Sequence, residues 1–312
     1  MAAAYARGVD YLATIVTPEG KLREDLQAPR YPLYSMAIGV LVLNVAKNER
    51  HRAARDALVA ALRGRQLGPD LGWRPEDPSY GGWGYFDGVP RRPEAIDERI
   101  ASNLSTTLFA ASALRLAGVP PEDPALVLAR GFIERCQNFG ALGDDGGFFF
   151  SPAVADSNKA GPAVAKDRYR SYGSMTADGV RGLIRLGAPL DDNRVAAAAA
   201  WLDASFDAER NPGDFPPVAE VRRASSYYYW TWSAAHALRD LGKVTVRGGA
   251  RWAEALAEAL LARQRPDGSW SNPATEMRED DPVVATAFAT AALGVCRIAI
   301  TGEYKSHAAP GK

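Results

Sequence analysis

YYYWTWSAAHALRDLG (227–242) has close parallels elsewhere in the chain, and these parallels decide the fold. Three further stretches align with it without gaps: NLSTTLFAASALRLAG (103–118), YGSMTADGVRGLIRLG (172–187) and PVVATAFATAALGVCR (282–297). A fifth stretch, YPLYSMAIGVLVLNVA (31–46), joins them with Ser35 and Val42 in the two key columns. Self-similarity of this kind indicates repeated supersecondary units.

The alignment has three columns of constant character. A threonine stands fifth in each gapless copy, a leucine follows seven residues later, and a small residue stands three after the threonine. The members are Thr107, Thr176, Thr231 and Thr286; Leu114, Leu183, Leu238 and Leu293; and Ala110, Gly179, Ala234 and Ala289. A helix that is small and apolar all round is typical of one buried on both sides.

A more charged helix precedes each of these helices, as in 50–66 and in FIERCQ (132–137), and a Gly-aromatic loop joins the two. The loops are LGW (71–73), GGF (146–148), GDF (213–215) and GSW (268–270). The unit recurs roughly every 50 to 70 residues, as in stacked helical repeats. We therefore predict an all-α fold: a two-layer α/α barrel, or toroid, of about five to six helix pairs, as a single domain over 1–312. Inner and outer helices would alternate, with the charged helices outside.

Composition sets bounds on function. Of the 312 residues, 47% are hydrophobic and 24% charged, with 37 basic and 37 acidic side chains. This balance gives no net field that would attract nucleic acid. Cys136 and Cys296 are far apart in sequence and lie in no CxxC motif. We therefore expect neither a disulfide framework nor a structural zinc site. We expect no signal peptide, no membrane span and a cytoplasmic location, with peripheral membrane contact left open.

The spacing of Gln264, Gly268 and Trp270 in QRPDGSW resembles the QW motif of squalene and oxidosqualene cyclases. Together with GGWGY (81–85) and DGGFFF (145–150), the pattern resembles the prenyltransferase and squalene-cyclase repeat superfamily from about Arg7 to Arg297. The resemblance implies a toroid in which the loop Gln and Trp tie outer helices together. It says less about activity, because fold and function separate freely.

One chemistry of that superfamily is zinc-dependent protein prenylation. The resemblance would place two zinc ligands at Tyr227 and Tyr229, and a histidine in PVVATAF (282–288), where there is none. Zinc needs about three N, S or carboxylate ligands from the protein to hold a catalytic site. We therefore expect neither a metal nor another cofactor.

The other chemistry is protonation-initiated terpene cyclisation, which uses an Asp-x-Asp-Asp motif before an inner helix. The matching residues here are Arg278, Glu279, Asp280 and Asp281. The resemblance implies that Asp280 is the acid and that Asp281 belongs to the catalytic set. Protonating an alkene needs a carboxyl group kept neutral by burial, and an adjacent Arg weakens such an acid. In the alternative, Asp281 simply caps a helix that begins at Pro282.

Aromatic side chains gather at the helix starts. If inner helices begin at one mouth of the barrel, then rings from several copies would line a pocket for an apolar chain. The predicted substrate-binding residues are Tyr228, Trp230, Trp232, His236, Tyr172, Phe109 and Phe288. Aromatic faces offer rigid apolar area and attract carbocations. In the alternative, the same rings only plug the barrel.

Asp178 breaks its column, which otherwise holds Ala37, Phe109, Ser233 and Phe288. It is a candidate catalytic acid or polar anchor because a buried carboxylate must be paired or protonated. Arg181 stands three residues after Asp178, on the same face of the helix. His236 occupies the position equivalent to Arg181 in the next copy of the repeat. The alternative is a structural pair of Asp178 with Arg181.

Three functions remain open on the sequence. The first is a terpene-cyclase-like protein that handles a polyprenyl substrate, with acid-initiated cyclisation or isomerisation as its possible chemistry. The second is a non-catalytic isoprenoid-binding or interaction scaffold that has lost the acid. The third is a carbohydrate-active α/α-barrel enzyme, which would need two facing carboxylates about 5 to 10 Å apart, and the candidate pair is Asp178 with Asp280 or Glu279. The sequence does not decide the oligomeric state.

Overall fold

The computed structural model describes residues 2–23, 31–95, 98–141, 144–161 and 169–302. Within these ranges it contains eleven α-helices and one short hairpin. The helices are α1 (Ala2–Thr14), α2 (Pro32–Ala46), α3 (Arg52–Arg63), α4 (Leu104–Leu116), α5 (Pro124–Arg135), α6 (Gly173–Arg185), α7 (Asn193–Ser205), α8 (Glu220–Ala224), α9 (Tyr227–Asp240), α10 (Trp252–Ala262) and α11 (Pro282–Thr301); the strands are β1 (Thr245–Val246) and β2 (Ala250–Arg251). The predicted all-α class is confirmed.

The helices pair as the repeats predict. In chain order, the described ranges contain five successive outer and inner helices: α1 and α2, α3 and α4, α5 and α6, α7 and α9, and α10 and α11. The inner helices α4, α6 and α9 are buried along most of their length, whereas the outer helices α3 and α7 each bury only three residues. Charge on one helix and small apolar residues on the next therefore produce the predicted outer and inner layers.

Two compact units divide the chain. The first comprises 1–136, 150–154 and 185–188, and the second comprises 137–149, 155–184 and 189–312. In the first unit α2 packs against α1, α3 and α4, and α4 packs against α5. In the second unit α9, α10 and α11 pack against one another, and α7 packs against β1. The expectation of one domain stays a prediction.

The outer helices α5 and α7, and the inner helix α11, begin at residues that the sequence marks. The side chains of Asp123, Asp192 and Asp281 accept hydrogen bonds from backbone amides two residues on. Pro124 and Pro282 follow two of these caps at the first helical position, where the missing N–H costs nothing. The cap that the sequence allowed at Asp281 is therefore observed.

Three of the four threonines in the column share a structural role. Thr107 accepts a hydrogen bond from the backbone N–H of Trp83 at 3.1 Å, and Thr176 accepts one from Phe148 at 3.0 Å. Thr286 accepts the equivalent bond from Trp270 at 3.0 Å. Each of these three threonines anchors the Gly-aromatic loop of its own copy to the inner helix. Because the loop amide is buried there, it needs that acceptor. Thr231 instead donates its hydroxyl to the carbonyl of Tyr228.

Glutamines at the ends of outer helices hold the same loops. The amide of Gln66 donates to the carbonyls of Gly81 (2.8 Å) and Ala125 (2.7 Å), so that it joins its own loop to the start of α5. Gln137 repeats this pattern in the second unit, with the carbonyls of Gly146 and Arg194, both at 2.9 Å.

The first Gly-aromatic loop differs from the prediction. Trp83, in GGW (81–83), is the residue equivalent to Trp270, and it donates its indole N–H to Leu62 just as Trp270 donates to Leu260. Trp73, from the predicted stretch LGW (71–73), instead donates to the carbonyl of Pro90. Sequence spacing misplaced this loop because the stretch between α3 and α4 contains two Gly-Trp pairs.

The inner helices of the first and last copies keep apolar exposure. Ile38 and Val45 on α2 are exposed, and so is Val283 on α11. Each of these copies has a neighbour in sequence on one side only. Among the described residues, α11 is the one helix long and apolar enough to cross a bilayer, where the sequence was expected to contain no such span. Core helices of soluble proteins meet the same criterion.

Candidate functional site

Asp178 lies on α6 with its side chain fully buried, and three donors converge on its carboxylate. The hydroxyl of Tyr229 donates to Oδ2 at 2.5 Å. Arg181 Nη1 donates to Oδ1 at 3.1 Å, and the Ser233 hydroxyl donates to the same oxygen. An ionised carboxylate is an acceptor only, and this arrangement suits that form.

Arg181 supplies the compensating charge, and the pair anticipated from the sequence is observed. Only 2% of the Arg181 side chain is exposed. Its Nη1 also donates to Ser233 at 3.0 Å, and its guanidinium carbon lies 4.1 Å from the centre of the Trp232 ring. The cation therefore connects the polar network to an aromatic side chain through a cation–π contact.

Three rings form a nearly equilateral triangle beside this network. The ring centres of Tyr229 and Trp232 are 5.5 Å apart, and Phe288 lies 5.4 Å from each of them. These separations fall in the range of favourable tilted and edge-to-face pairs. Tyr229 is buried, whereas Trp232 and Phe288 keep part of their surface exposed. We call Tyr229, Trp232 and Phe288 the aromatic triangle.

The structure brings together four of the residues predicted for the site. Asp178, Trp232 and Phe288 belong to the network and the triangle, and the ring of His236 lies 5.6 Å from that of Trp232. All four lie in the second unit. Asp178 and Phe288 occupy the same column of the repeat, two residues after the threonine, and both contact Tyr229.

The other predicted binding residues have different surroundings. Trp230 is fully buried and donates its indole N–H to the carbonyl of Asp207 at 2.9 Å. Tyr172 is also buried, with its ring 5.6 Å from that of Phe215. Tyr228 donates its hydroxyl to Ser271 at 3.4 Å. None of these contacts involves the aromatic triangle.

Phe109 lies in the first unit and has an aromatic cluster of its own. Its ring centre is 5.0 Å from that of Tyr34, in an edge-to-face arrangement. Tyr34 in turn lies 6.0 Å from Tyr85 and donates its hydroxyl to Ser105 at 2.8 Å.

The four residues that match the cyclase motif divide among three environments. Arg278 and Asp280 are exposed, and Asp281 accepts a hydrogen bond from the N–H of Val283 at 2.9 Å. Glu279 is the buried one, with no exposed surface. Burial raises the pKa of its carboxyl group to about 7, against the opposing effect of the backbone amides of Tyr229 and Tyr228. Glu279 is thus the carboxyl group of this motif that changes its charge near pH 7.

Sequence reasoning missed three contributors to the site. Ser233 stood in the right column but was not proposed for the site. Tyr229 was considered as a zinc-ligand position and as part of the aromatic run, and nothing in the spacing shows that its hydroxyl reaches Asp178. Glu279 was considered in the cyclase motif and as one half of a carboxylate pair, whereas its hydrogen-bond partners on α9 lie about 50 residues earlier.

Two cavities lie elsewhere in the second unit. One, of about 510 Å³, includes Asp145, Trp201, Asp207, Arg210 and Arg223 in its wall. The other, of about 460 Å³, includes Tyr227, Tyr228 and Arg263. Across the described ranges, no group of three or more His, Cys, Asp or Glu residues has the arrangement of a metal site.

Comparison with known proteins identifies the fold. Two structures of the type II terpene cyclase MstE from Scytonema, both in complex with geranylgeranyl dihydroxybenzoate, superpose on this chain. The first gives a TM-score of 0.56 at 15% identity, over 99% of this chain and 79% of that chain. The second gives 0.57 at 16% identity, over 97% and 77%. This chain shares its fold with these two structures. The predicted α/α toroid is confirmed as the fold class.

At this level of identity the likeness establishes the fold and not the activity. No family model matches the sequence. No curated protein matches it either.

Proposed function

We propose that this chain binds an isoprenoid. The exposed surfaces of Trp232 and Phe288 would contact the apolar ligand, and the buried network around Asp178 would hold the rings in place. The observation that carries the proposal is the aromatic triangle, in which an ion-paired network fixes two of the three rings. Fixed rings offer contact area without loss of rotamer freedom on binding. The likeness to a cyclase in complex with a geranylgeranyl compound supports the ligand class.

The geometry favours binding over acid-initiated cyclisation. Asp178 receives three donors, one of them a guanidinium, and this arrangement favours the ionised carboxylate over an acid that could protonate an alkene. Asp280 is exposed, so it lacks the burial that keeps a carboxyl group neutral. Asp281 accepts a bond from the amide of Val283. Of the two functions, we therefore propose the non-catalytic isoprenoid-binding scaffold, which lacks a catalytic acid, and not the active cyclase.

The test is binding of farnesol, followed by tryptophan fluorescence. Wild-type protein should bind at micromolar concentration, and Trp232→Ala should weaken binding by about tenfold or more, which corresponds to burial of a large aromatic contact. Trp201→Ala is the matched control, since Trp201 is also partly exposed but lies in the polar cavity. Absence of farnesol binding by the wild type, or equal losses in the two variants, would reject the proposal.

Turnover is tested in the same preparation. Wild-type protein, Asp178→Asn and Asp280→Asn are incubated with squalene and with geranylgeraniol, and the products are analysed by gas chromatography. We expect no cyclised product from any of them. Product from the wild type that disappears in either variant would restore the enzymatic alternative and identify the acid.

A second candidate function rests on the polar cavity. Trp201 donates its indole N–H to Asp145 Oδ2 at 3.2 Å, which fixes the ring in a wall that also presents Asp207, Arg210 and Arg223. A fixed aromatic surface beside planar charged groups of both signs is suited to a sugar, whose hydroxyls both donate and accept. This cavity would make the chain a carbohydrate-binding protein. The pair Asp178 and Glu279 gives no support to glycosidase chemistry, because both carboxyl groups are fully buried.

Sugar binding by two tryptophan variants distinguishes the two proposed functions. A panel of mono- and disaccharides, measured by isothermal titration calorimetry, should give binding that Trp201→Ala removes and Trp232→Ala leaves intact. If no sugar binds the wild type at millimolar concentration, the second candidate is rejected.

A further inference from the structure

Glu279 links two parts of the second unit that are about 50 residues apart in sequence. It lies in the loop between α10 and α11, and its carboxylate reaches the N-terminus of α9. Oε2 accepts from the N–H of Tyr228 at 3.0 Å, and Oε1 accepts from the N–H of Tyr229 at 2.8 Å. The side-chain amide of Asn272 donates to Oε2 at 3.1 Å.

Glu279 takes the place of a local helix cap. Ser226, the residue before α9, makes no side-chain capping bond. Its hydroxyl instead donates to the carbonyl of Arg222 and accepts from Asn211, each at 3.0 Å. The first amides of a helix have no partner within the helix, and the helix dipole favours a negative charge near them. The carboxylate of Glu279 meets both needs.

Tyr229 joins this cap to the candidate site. Its backbone N–H donates to Glu279, and its hydroxyl donates to Asp178 Oδ2 at 2.5 Å. One residue therefore connects two buried carboxyl groups. Any shift of the first turn of α9 would move the tyrosine ring, and with it one corner of the aromatic triangle.

The backbone before Glu279 adopts an unfavourable conformation. Arg278 has a φ of 62°, in the left-handed region that non-glycine residues rarely occupy. The tight turn there includes bonds from the N–H of Arg278 to Thr275 and from the N–H of Asp281 to Arg278. Residues persist in such conformations where the surrounding structure over-determines them. The bonds of Glu279 to α9 and Asn272 supply that constraint.

We propose that Glu279 is a positioning residue, which sets the first turn of α9 and so directs the Tyr229 hydroxyl at Asp178. This inference rests on the proposed function only in the use it assigns to the aromatic triangle. Glu279 touches no ligand, and acts through Tyr229.

The charge of Glu279 changes in an accessible pH range. Burial raises the pKa of its carboxyl group to about 7. The groups that face it are the amides of Asn272 and of the first turn of α9, together with the Tyr228 phenol, whose pKa is raised by burial and stays above the range used below. Arg263 and Arg265 act on that phenol. His236 lies further along α9.

The test follows the ζ-carbon of Tyr229 by carbon-13 NMR in ligand-free protein labelled at the tyrosine ζ-carbon, with Tyr229→Phe to assign the signal. From pH 5.5 to 8.5 the wild-type signal should shift in one step centred near 7, as the carboxylate forms and tightens the turn. Glu279→Gln, which stays neutral, should lack the step and remain near the low-pH position. Glu276→Gln is the matched control, because Glu276 lies in the same loop but pairs with Arg222 at 3.6 Å.

The NMR titrations of the variants decide whether Glu279 positions Tyr229. A step that survives in Glu279→Gln, or is missing from the wild type, overturns the inference. A step removed by His236→Gln would assign the titration to that histidine and also overturn it. If Glu279→Gln does not fold, the wild-type and His236→Gln titrations decide. Farnesol binding is measured separately, so its absence would reject the proposed function and leave the NMR result standing.

Discussion

The hydroxyl of Ser233 donates a hydrogen bond to the carboxylate of Asp178, and these two residues occupy the same column in neighbouring copies of the repeat. Each stands two residues after the column threonine, Thr176 or Thr231. The copies pack in register, so equivalent positions of α6 and α9 face each other. A polar exception in one copy can therefore be satisfied by a small polar residue in the next.

Removal of one member of the buried ion pair should be costly. Asp178→Leu leaves the Arg181 charge without its carboxylate in a site where 2% of the arginine is exposed, and should lower the free energy of unfolding by about 3 to 5 kcal/mol. The double variant Asp178→Leu with Arg181→Met should recover most of that loss, since neither charge is then buried. Urea denaturation at pH 7 measures both. A double variant as unstable as the sum of the two single variants would contradict this account.

Stability should depend on the protonation of Glu279. Its native pKa of about 7 lies above the ordinary value of 4.5, so the native state keeps a proton that the unfolded chain has released. Between these two values the free energy of unfolding therefore falls as pH rises, by about 3 kcal/mol in total, and it levels off above pH 7. Glu279→Gln should remove this part of the pH dependence. Unfolding by urea at half-unit pH intervals tests it, and parallel curves for the two proteins would refute it.

The threonine column should matter for stability through its loop bonds. Thr176→Val removes the acceptor of the Phe148 N–H inside the core and should cost about 1 to 3 kcal/mol. Thr290→Val is the control, because Thr290 is exposed and its hydroxyl bonds only to carbonyls within its own helix. Thermal unfolding of both variants gives the comparison. Equal effects would mean that the loop bond contributes nothing beyond loss of a hydroxyl.

Gly179 should tolerate no side chain. A Cβ at this position would overlap the ring of Phe148, which has no exposed surface, so Gly179→Ala should destabilise the protein by about 1 to 3 kcal/mol. Gly294 also lies inside a helix, but nothing stands near its Cβ position. Gly294→Ala should therefore stabilise the protein by up to about 1 kcal/mol. Calorimetric melting temperatures that move in the same direction would contradict the packing explanation.

Much of the fold followed from spacing, because helices and their caps are local. The threonines, the small-residue column and the Asp-Pro start at Asp281 all depend on neighbours within one turn or one copy. The site was less accessible. Asp178 and Arg181 were recognisable as exceptions within one helix, but the reach of Glu279 to Tyr229 spans 50 residues and depends on the course of a loop. Trp73 was taken for Trp83 because composition alone does not show which Gly-Trp pair meets a threonine.

The two hydrogen bonds that Gln66 donates, to the carbonyls of Gly81 and Ala125, have a consequence for the local unfolding of the first unit. A single amide group donates to carbonyls in two successive copies. Detachment of the copy that contains α3 removes a donor from Ala125, and detachment of the copy that contains α5 leaves an N–H of Gln66 without its acceptor. Local opening of α3 should then raise the opening probability of α5. In native-state hydrogen exchange, amides of these two helices would exchange as one cooperative group rather than as separate segments.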